Sequence, residues 1–419
     1  MTGILGTVSC LDGYDPDALR VDKAREAIRR CLEVLREEET LPVRDALGRV
    51  LAQEIVPAIN VPAHDNSAMD GYAVRSADLS SAESFLTEAG TALAGKPFGG
   101  KLGPGQCVRV MTGAVMPQGA DTVVIQEVVR KEGAQIAIPP GQKKGQNVRA
   151  AGEDLKVGVP VLKPGKRLRP ADLGLIASLG MGKVRVKRKL RVAFFSTGDE
   201  LASIGTALKE GEVYDSNRYT LHGMLARLGV EIVDLGVVRD NVPELESSFF
   251  KASRSADVVI TTGGVSVGEA DFVKQLMAKL GEVLFWKIAM RPGRPMAFGR
   301  IGDAFLFGLP GNPVAVMVTF YQFVRPSLLY LSGQAGDLEP PLLRVPCSEN
   351  LRKVPGRTEY QRGVLFTERG EWRVRTTGQQ GSGVLRSMSE ANCFIVLEHE
   401  RGKVAAGEPV SVQLFEGLA

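Results

Sequence analysis

Between residues 190 and 330 the apolar positions follow two alternating rhythms. LRVAFFSTG, VEIVDLGVVRD and ADVVITTGG are nearly continuous apolar runs, the pattern of strands buried on both faces. SNRYTLHGMLARLG, PELESSFFKASRS and EADFVKQLMAKLG fall between and after them, with helical spacing; Leu221, Leu225 and Leu228 share one face. Ser216 or Asn217 is placed to cap the first of these helices. Such alternation predicts a doubly wound parallel sheet with right-handed crossovers. Upstream, Ile28, Cys31, Leu32 and Leu35 predict a helix over 17–39. From about Val56 to Arg149, short runs rich in Val, Ile and Thr between glycines and prolines predict a β-rich module. PADLGLIASLG predicts a further helix, and after Pro340 short strands with glycine turns predict a small barrel. The fold class is therefore α/β multidomain: a doubly wound parallel-sheet domain, β-rich modules and a small C-terminal β-barrel.

A length of 419 residues suggests two to four domains. A net charge of +4 is too weak to imply nucleic acid and suits a small anionic ligand. The five cysteines and three histidines are scattered, with no C-x-x-C and no zinc spacing. The start MTGILGTVSCLDGYD carries Asp12 and Asp15 and is no secretory signal. PVAVMVTFYQFVRPSLLYL, interrupted by Gln322, Arg325 and Pro326, reads as a buried helix and not a membrane span. A cytoplasmic protein without nucleic-acid or membrane partners is expected. The ten basic residues from Lys163 to Arg191, against Asp172 alone, read as a solvated face.

Ligands of doubly wound sheets bind beyond the carboxyl ends of the strands. Here those ends carry Ser196, Thr197, Asp199 and Glu200, then Asp240, then Gly263, Gly264, Ser266, Glu269 and Asp271. Paired glycines let backbone amides approach an anion, and a following helix start attracts phosphate. Acidic residues beside such a place make sense when a hard cation lies between, because Mg²⁺ is held by one or two carboxylates plus phosphates. Acidic residues in a first helical turn are also ordinary stabilisers, worth roughly 0.3–1 kcal/mol. In FWKIAMRPGRPMAFG, Lys287, Arg291 and Arg294 surround a Pro-Gly turn and offer forks and a point charge to oxyanions. In GLPGNPVAV, Pro310 and Gly311 lead to Asn312 as N-cap and Pro313 at the first helical position. The loop VPAHDNSAMDGYAVR adds Asp70, which serves either function or a turn before Gly71. No G-x-S-x-G, Walker or H-E-x-x-H motif is present.

DNSAMDGYAVR, RVMTGAVMPQGADTVV, NVRAAGEDL, STGDEL, TTGGVSVGEADF, FWKIAMRPGRPMAFG and GLPGNPVAV follow one another in this order. Together they resemble the molybdopterin molybdenumtransferases, the family of bacterial MoeA and the C-terminal domain of gephyrin, over essentially the whole chain. The resemblance implies insertion of molybdate into adenylylated molybdopterin, with Mg²⁺-dependent hydrolysis of the adenylate and release of AMP. It implies a homodimer of four-domain subunits, with the active site between the α/β domain of one and the MDGYA module of the other. The domains fall at 1–56 with 149–189, at 57–148, at 190–332 and at 333–419. By motif match, functional positions are Asp70, Thr112, Arg149, Asp154, Glu200, Asp240, Asp271, Lys287, Arg291 and Ser382. On this reading Asp271, with Glu200 or Asp240, holds Mg²⁺, while Lys287, Arg291 and Arg294 hold molybdate or phosphate. Ser196, Thr197, Gly263, Gly264 and Ser266, with Pro310 to Asn312, line the phosphate side; Arg357 and Ser382 face the dithiolene or molybdate end; Asp70 is base or orienter. Transient contact with the molybdopterin adenylyltransferase and with molybdoenzyme acceptors is also implied. One departure is visible: bacterial members often carry lysines where this chain has Arg291 and Arg294. Two alternatives remain: a molybdopterin adenylyltransferase, and a catalytically silent scaffold that binds peptide as a dimer.

Overall fold

Consecutive residues of a strand face opposite sides, so the run Val192–Phe195 fills two cores at once. Val192 and Phe194 join one apolar cluster, Ala193 and Phe195 another. The computed structural model describes residues 19–263, 276 and 279–415, so Gly264, Ser266, Glu269 and Asp271 fall outside the described residues. The chain divides into two compact units: residues 19–39, Gly48–Val50 and 187–415 form one, and Thr40–Leu47 with Leu51–Val186 the other.

In the first unit, strands β1 (Arg191–Thr197), β2 (Glu231–Val238), β3 (Val258–Thr262), β4 (Gly281–Lys287), β5 (Pro295–Ile301) and β6 (Ala304–Leu309) form one sheet in the order β2-β1-β3-β6-β5-β4. The pairs β1–β2, β1–β3 and β3–β6 are parallel. The pairs β5–β6 and β4–β5 are antiparallel, so the sheet is mixed and not parallel throughout. Apolar content alone does not distinguish the two directions; the short link Gly302–Asp303 turns β5 straight back into β6. Helix α1 (Ser216–Leu228) packs Leu221 and Leu225 on one face of the sheet, and α2 (Val242–Ser255) packs Leu245 and Phe249 on the other. Helix α3 (Pro313–Thr319) opens a helical run, Pro313–Leu331, that is long and apolar enough to cross a membrane but is 78% buried inside the protein.

The N-terminal helix spans Val21–Cys31, shorter than its apolar stripe suggested. Leu35 lies beyond its end, where its amide donates to Leu331 O at 2.9 Å, and residues Glu38–Pro42 are a strand. Tertiary hydrogen bonds override helix propensity here.

The same unit holds the C-terminal barrel of β7 (Leu342–Pro346), β8 (Thr358–Glu368), β9 (Glu371–Thr376), β10 (Cys393–Leu397) and β11 (Pro409–Leu414). Its antiparallel order is β9-β8-β10-β11-β7. A bridge between Cys347 and Val374, with Ser348 N donating to Val374 O at 2.9 Å, closes the ends together.

The second unit carries a six-stranded sheet in the order Thr122–Ile125, Gly71–Val74, Gln106–Val110, Ser84–Ala92, Gln135–Ile138, Arg130–Glu132. A separate small core gathers Leu51, Ile55, Leu162 and Ile176. The basic stretch Lys163–Arg191 is less solvated than its composition suggested: Lys166 pairs with Asp172 at 2.9 Å, and Arg188 holds Asp257 through both nitrogens, at 2.8 and 2.9 Å.

Candidate active site

Beyond the carboxyl ends of β1, β3 and β6 lies a cavity of about 1020 Å³ inside the first unit. Its walls include eleven of the residues singled out in the sequence: Thr197, Glu200, Asp240, Gly263, Arg291, Arg294, Pro310, Gly311, Asn312, Arg357 and Ser382. Strand tips supply one wall, the turn after β4 a second, and barrel loops a third. The N-cap position of α3 is Asn312, but its side chain makes no cap hydrogen bond. The Val314 amide of that first turn instead donates to Ser382 O at 3.1 Å, which fastens the barrel loop to the helix start.

Gly263 has φ +87°, where glycine is favoured, and a Cβ there would lie 2.4 Å from Thr197 O. Its amide donates to Leu309 O at 3.2 Å, so this N–H is engaged within the sheet and is not an anion donor. What Gly263 contributes is close approach of two strand tips. Ser196 is a correction: it is fully buried, accepts from Thr262 Oγ1 at 3.3 Å and does not line the cavity. The alternation of a strand explains this, since Ser196 and Thr197 point to opposite sides. Lys287 is not among the lining residues either; its carbonyl accepts from Leu19 N at 3.1 Å.

The acidic side is crowded. The Asp240 amide donates to Asp199 Oδ1 at 3.2 Å, which joins the tips of β1 and β2. Burial raises the Asp240 pKa above the ordinary carboxylate range; the nearby Thr197 hydroxyl pulls it back, and the charges of Asp199 and Glu200 raise it further. Asp240 Oδ1 and Thr197 Oγ1 are buried atoms without hydrogen-bond partners. These donors fit Mg²⁺: hard carboxylate oxygens, one unpaired, whose mutual repulsion a dication relieves. Among the described residues no three His, Cys, Asp or Glu side chains converge into a complete cage, so substrate oxygens would have to complete the coordination. Asp271, the third expected ligand, lies outside the described residues.

The raised pKa sets a stability sign. The folded carboxyl holds its proton more tightly than the unfolded one, near pH 3.9. This group therefore favours folding below that value, and the advantage is lost as pH rises through the raised folded pKa. Asp240→Asn should accordingly raise Tm at pH 7 without divalent cations. Scanning calorimetry checks this, and an unchanged or lower Tm contradicts it.

The sequence does not mark Asp215, Gln380 or Arg362, and it marks Asn217 only as a candidate helix cap. Asp215, not Ser216 or Asn217, occupies the N-cap of α1, where its Oδ1 accepts from Arg218 N at 3.1 Å. In DSN all three residues are good caps; the bonds from Val213 N to Glu200 O and from Asp215 N to Ala202 O fix the choice. Arg362 is 1% exposed and bonds the loop that carries Gln379 to Gly381. Burial lowers its pKa to about 10, with the Arg291 charge adding to the effect, so it remains cationic at neutral pH.

In the second unit, Gly71 occupies a central strand where a Cβ would lie 2.1 Å from Val124 O. The close packing explains the glycine of MDGYA and sets Asp70 at the strand's start. The Asp70 carboxylate accepts from Thr112 N and Thr112 Oγ1, both at 2.8 Å, and these bonds lower its pKa. Asn66 pairs with Arg149, Ser67 N donates to Ala114 O, and Asp154 N donates to Val61 O. Three loops thus bring Asp70, Thr112 and Arg149 together, with Asp154 further along the third; Arg149 and Asp154 are exposed.

Comparison with known proteins agrees with this architecture. Residues 19–180 match the MoeA N-terminal region (domain I and II), 193–330 a probable molybdopterin binding domain, and 344–415 the MoeA C-terminal region (domain IV). Fold and site define a transferase of molybdenum cofactor biosynthesis built around a molybdopterin-binding domain. The molybdopterin molybdenumtransferase of Haemophilus influenzae is 45% identical over 96% of this chain and 99% of its own length. That of Nostoc sp. is 36% identical over 91% and 89%. The molybdopterin biosynthesis MoeA protein of Pyrococcus horikoshii superimposes with a TM-score of 0.83 at 29% identity, covering 95% of this chain and all of its own. The chain belongs to the molybdopterin molybdenumtransferase family.

Proposed function

We propose that the cavity takes adenylylated molybdopterin and molybdate, and that the enzyme inserts molybdenum with hydrolysis of the adenylate and release of AMP. The observation that carries this reading is that one cavity is lined both by carboxylates, Glu200 and Asp240 from strand tips, and by guanidinium groups, Arg291 and Arg294 from the turn after β4 and Arg357 from the barrel. A substrate with a phosphoanhydride, joined by an oxyanion, needs both.

The guanidinium forks bind oxyanions in a fixed plane, which orients molybdate or phosphate more strictly than a lysine would. Arg357 is itself steadied by Glu359, 3.3 Å away. Ser382, tethered through its carbonyl to α3, presents its side chain from a fixed backbone. Glu200 and Asp240 are the described residues that would hold Mg²⁺, with Asp271 completing the proposal. When bound, the cation supplies Lewis-acid polarisation of a phosphoryl oxygen and neutralises phosphate charge.

Asp70, Thr112, Arg149 and Asp154 belong to the second unit, and in this proposal they complete the site from the partner in a homodimer. Asp70 is held ionised by Thr112; the lowered pKa weakens it as a base, so of the two roles proposed for it the orienter is favoured. Transient contacts with the molybdopterin adenylyltransferase and with acceptor molybdoenzymes follow as part of the proposal.

The test is AMP release from adenylylated molybdopterin, measured with and without molybdate and Mg²⁺. Release should need both in the wild type and fall at least about 100-fold in Asp240→Ala and Asp271→Ala. Undiminished release in both variants would remove the metal assignment. Formation of adenylylated product from ATP and molybdopterin would instead favour the adenylyltransferase reading.

A further inference from the structure

The floor of the cavity carries two acceptors that the functional reading leaves idle. Asp215 is 3% exposed and Asn217 8%, and both line the cavity at the start of α1. One Asp215 oxygen, Oδ1, caps the helix through Arg218 N. The other, Oδ2, is buried and has no hydrogen-bond partner. Asn217 repeats the pattern: Nδ2 donates to Gly311 O at 2.7 Å, which fixes the amide's orientation, while Oδ1 is buried and unpaired. An unpaired buried acceptor is costly, and native structures keep few of them without a use.

The chemistry of the pair is one-sided. Both free atoms are acceptors, one of them anionic, so they match N–H donors and repel oxyanions. The arginines do the reverse. A substrate with phosphate at one end and an amino-substituted heterocycle at another is therefore sorted by the cavity. We propose that Asp215 Oδ2 and Asn217 Oδ1 form a subsite for the exocyclic amine and ring N–H edge of the substrate's heterocycle, and so set which way round it lies. Asp215 needs only a small turn about χ2, a broad torsion for this residue, to present Oδ2 to a donor. The inference rests on the functional reading above. Two halves of that substrate carry donors: the 2-amino pyrimidinone of the pterin offers an exocyclic amine beside a ring N–H, and adenine offers its 6-amino group alone.

Substitution at Asp215 separates recognition from capping, because Asp, Asn and Ser are comparable N-caps. Asp215→Asn keeps the cap and turns Oδ2 into a donor; Asp215→Ser keeps the cap and removes the atom. Calorimetric titration with neopterin monophosphate and with AMP reads the two halves separately. The inference expects one ligand to bind at least about tenfold more weakly to Asp215→Asn, less weakly to Asp215→Ser, and the other ligand to be unaffected. Whichever ligand responds identifies the half that is read. Tm should match the wild type in both variants, and Arg291→Ala should weaken both ligands through their phosphates. Equal affinities in wild type and variants would overturn the subsite. So would equal losses for both ligands in both variants, which mark a damaged pocket. If the wild type binds neither ligand while the fold is intact, the functional reading itself fails and this inference goes with it.

Discussion

Mixing Asp70→Ala subunits with Asp240→Ala subunits should restore activity that neither variant has alone. The two residues lie in different compact units of the chain, and the proposed site takes one unit from each subunit of a homodimer. In a mixed dimer both lesions then fall in the same site, and the other site is intact. Random exchange between two-fold dimers makes half of them mixed, so recovery should approach about a quarter of wild-type turnover. If each site were built within one subunit, every site in every dimer would carry a lesion and the mixture would stay silent. The readout is AMP release after co-refolding or co-expression with two purification tags. An inactive mixed dimer, isolated by both tags, would confine the site to a single chain.

Arg362→Ala should be the most destabilising single change near the cavity. The guanidinium is buried without a carboxylate among its bonded partners. Its Nε donates to Ser387 Oγ at 3.0 Å, and one terminal nitrogen donates to Gly381 O at 2.9 Å and Gln379 O at 3.4 Å. The backbone is held in the same place, since Arg362 N donates to Gln380 Oε1 at 2.8 Å and Arg362 O accepts from Thr377 N at 3.0 Å. Truncation leaves a void and orphaned carbonyls together, a loss of about 3–5 kcal/mol. Arg362→Lys should lose less, because an ammonium reaches some of these acceptors but cannot span them as a planar fork does. Urea unfolding followed by circular dichroism measures this; a loss under about 1 kcal/mol would contradict it. The loop also carries Ser382, so AMP release should drop in both variants even at temperatures where they remain folded.

What the sequence disclosed and what it concealed have separate physical causes. Unbroken apolar runs such as VAFFS and DVVITT, bounded by turn residues, read as strands with two covered faces, and the tips of those strands line the cavity. Strand direction was hidden, because FLFGL looks alike whether its neighbour runs parallel or antiparallel. Ser196 and Thr197 were taken together although adjacent strand residues face opposite ways, and only Thr197 reaches the cavity. Arg362, in the strand TEYQRGVLF, reads as a solvent-facing charge until the barrel closes around it. The helix cap was ambiguous because Asp215, Ser216 and Asn217 are equally good candidates locally. Acidic and basic groups from distant segments are legible as chemistry; their meeting in one cavity depends on contacts that composition does not encode.

The hydrogen bond from the Val314 amide to Ser382 O has a mechanical consequence. One short peptide segment is latched to a helix start on one side and to a buried guanidinium on the other, so the loop that bears Ser382 is held at both ends. Displacing that loop therefore requires the Val314 amide to give up its acceptor. Deuterium uptake at that single amide should therefore gauge how firmly the loop is held, and it should slow when a ligand fills the cavity beside it.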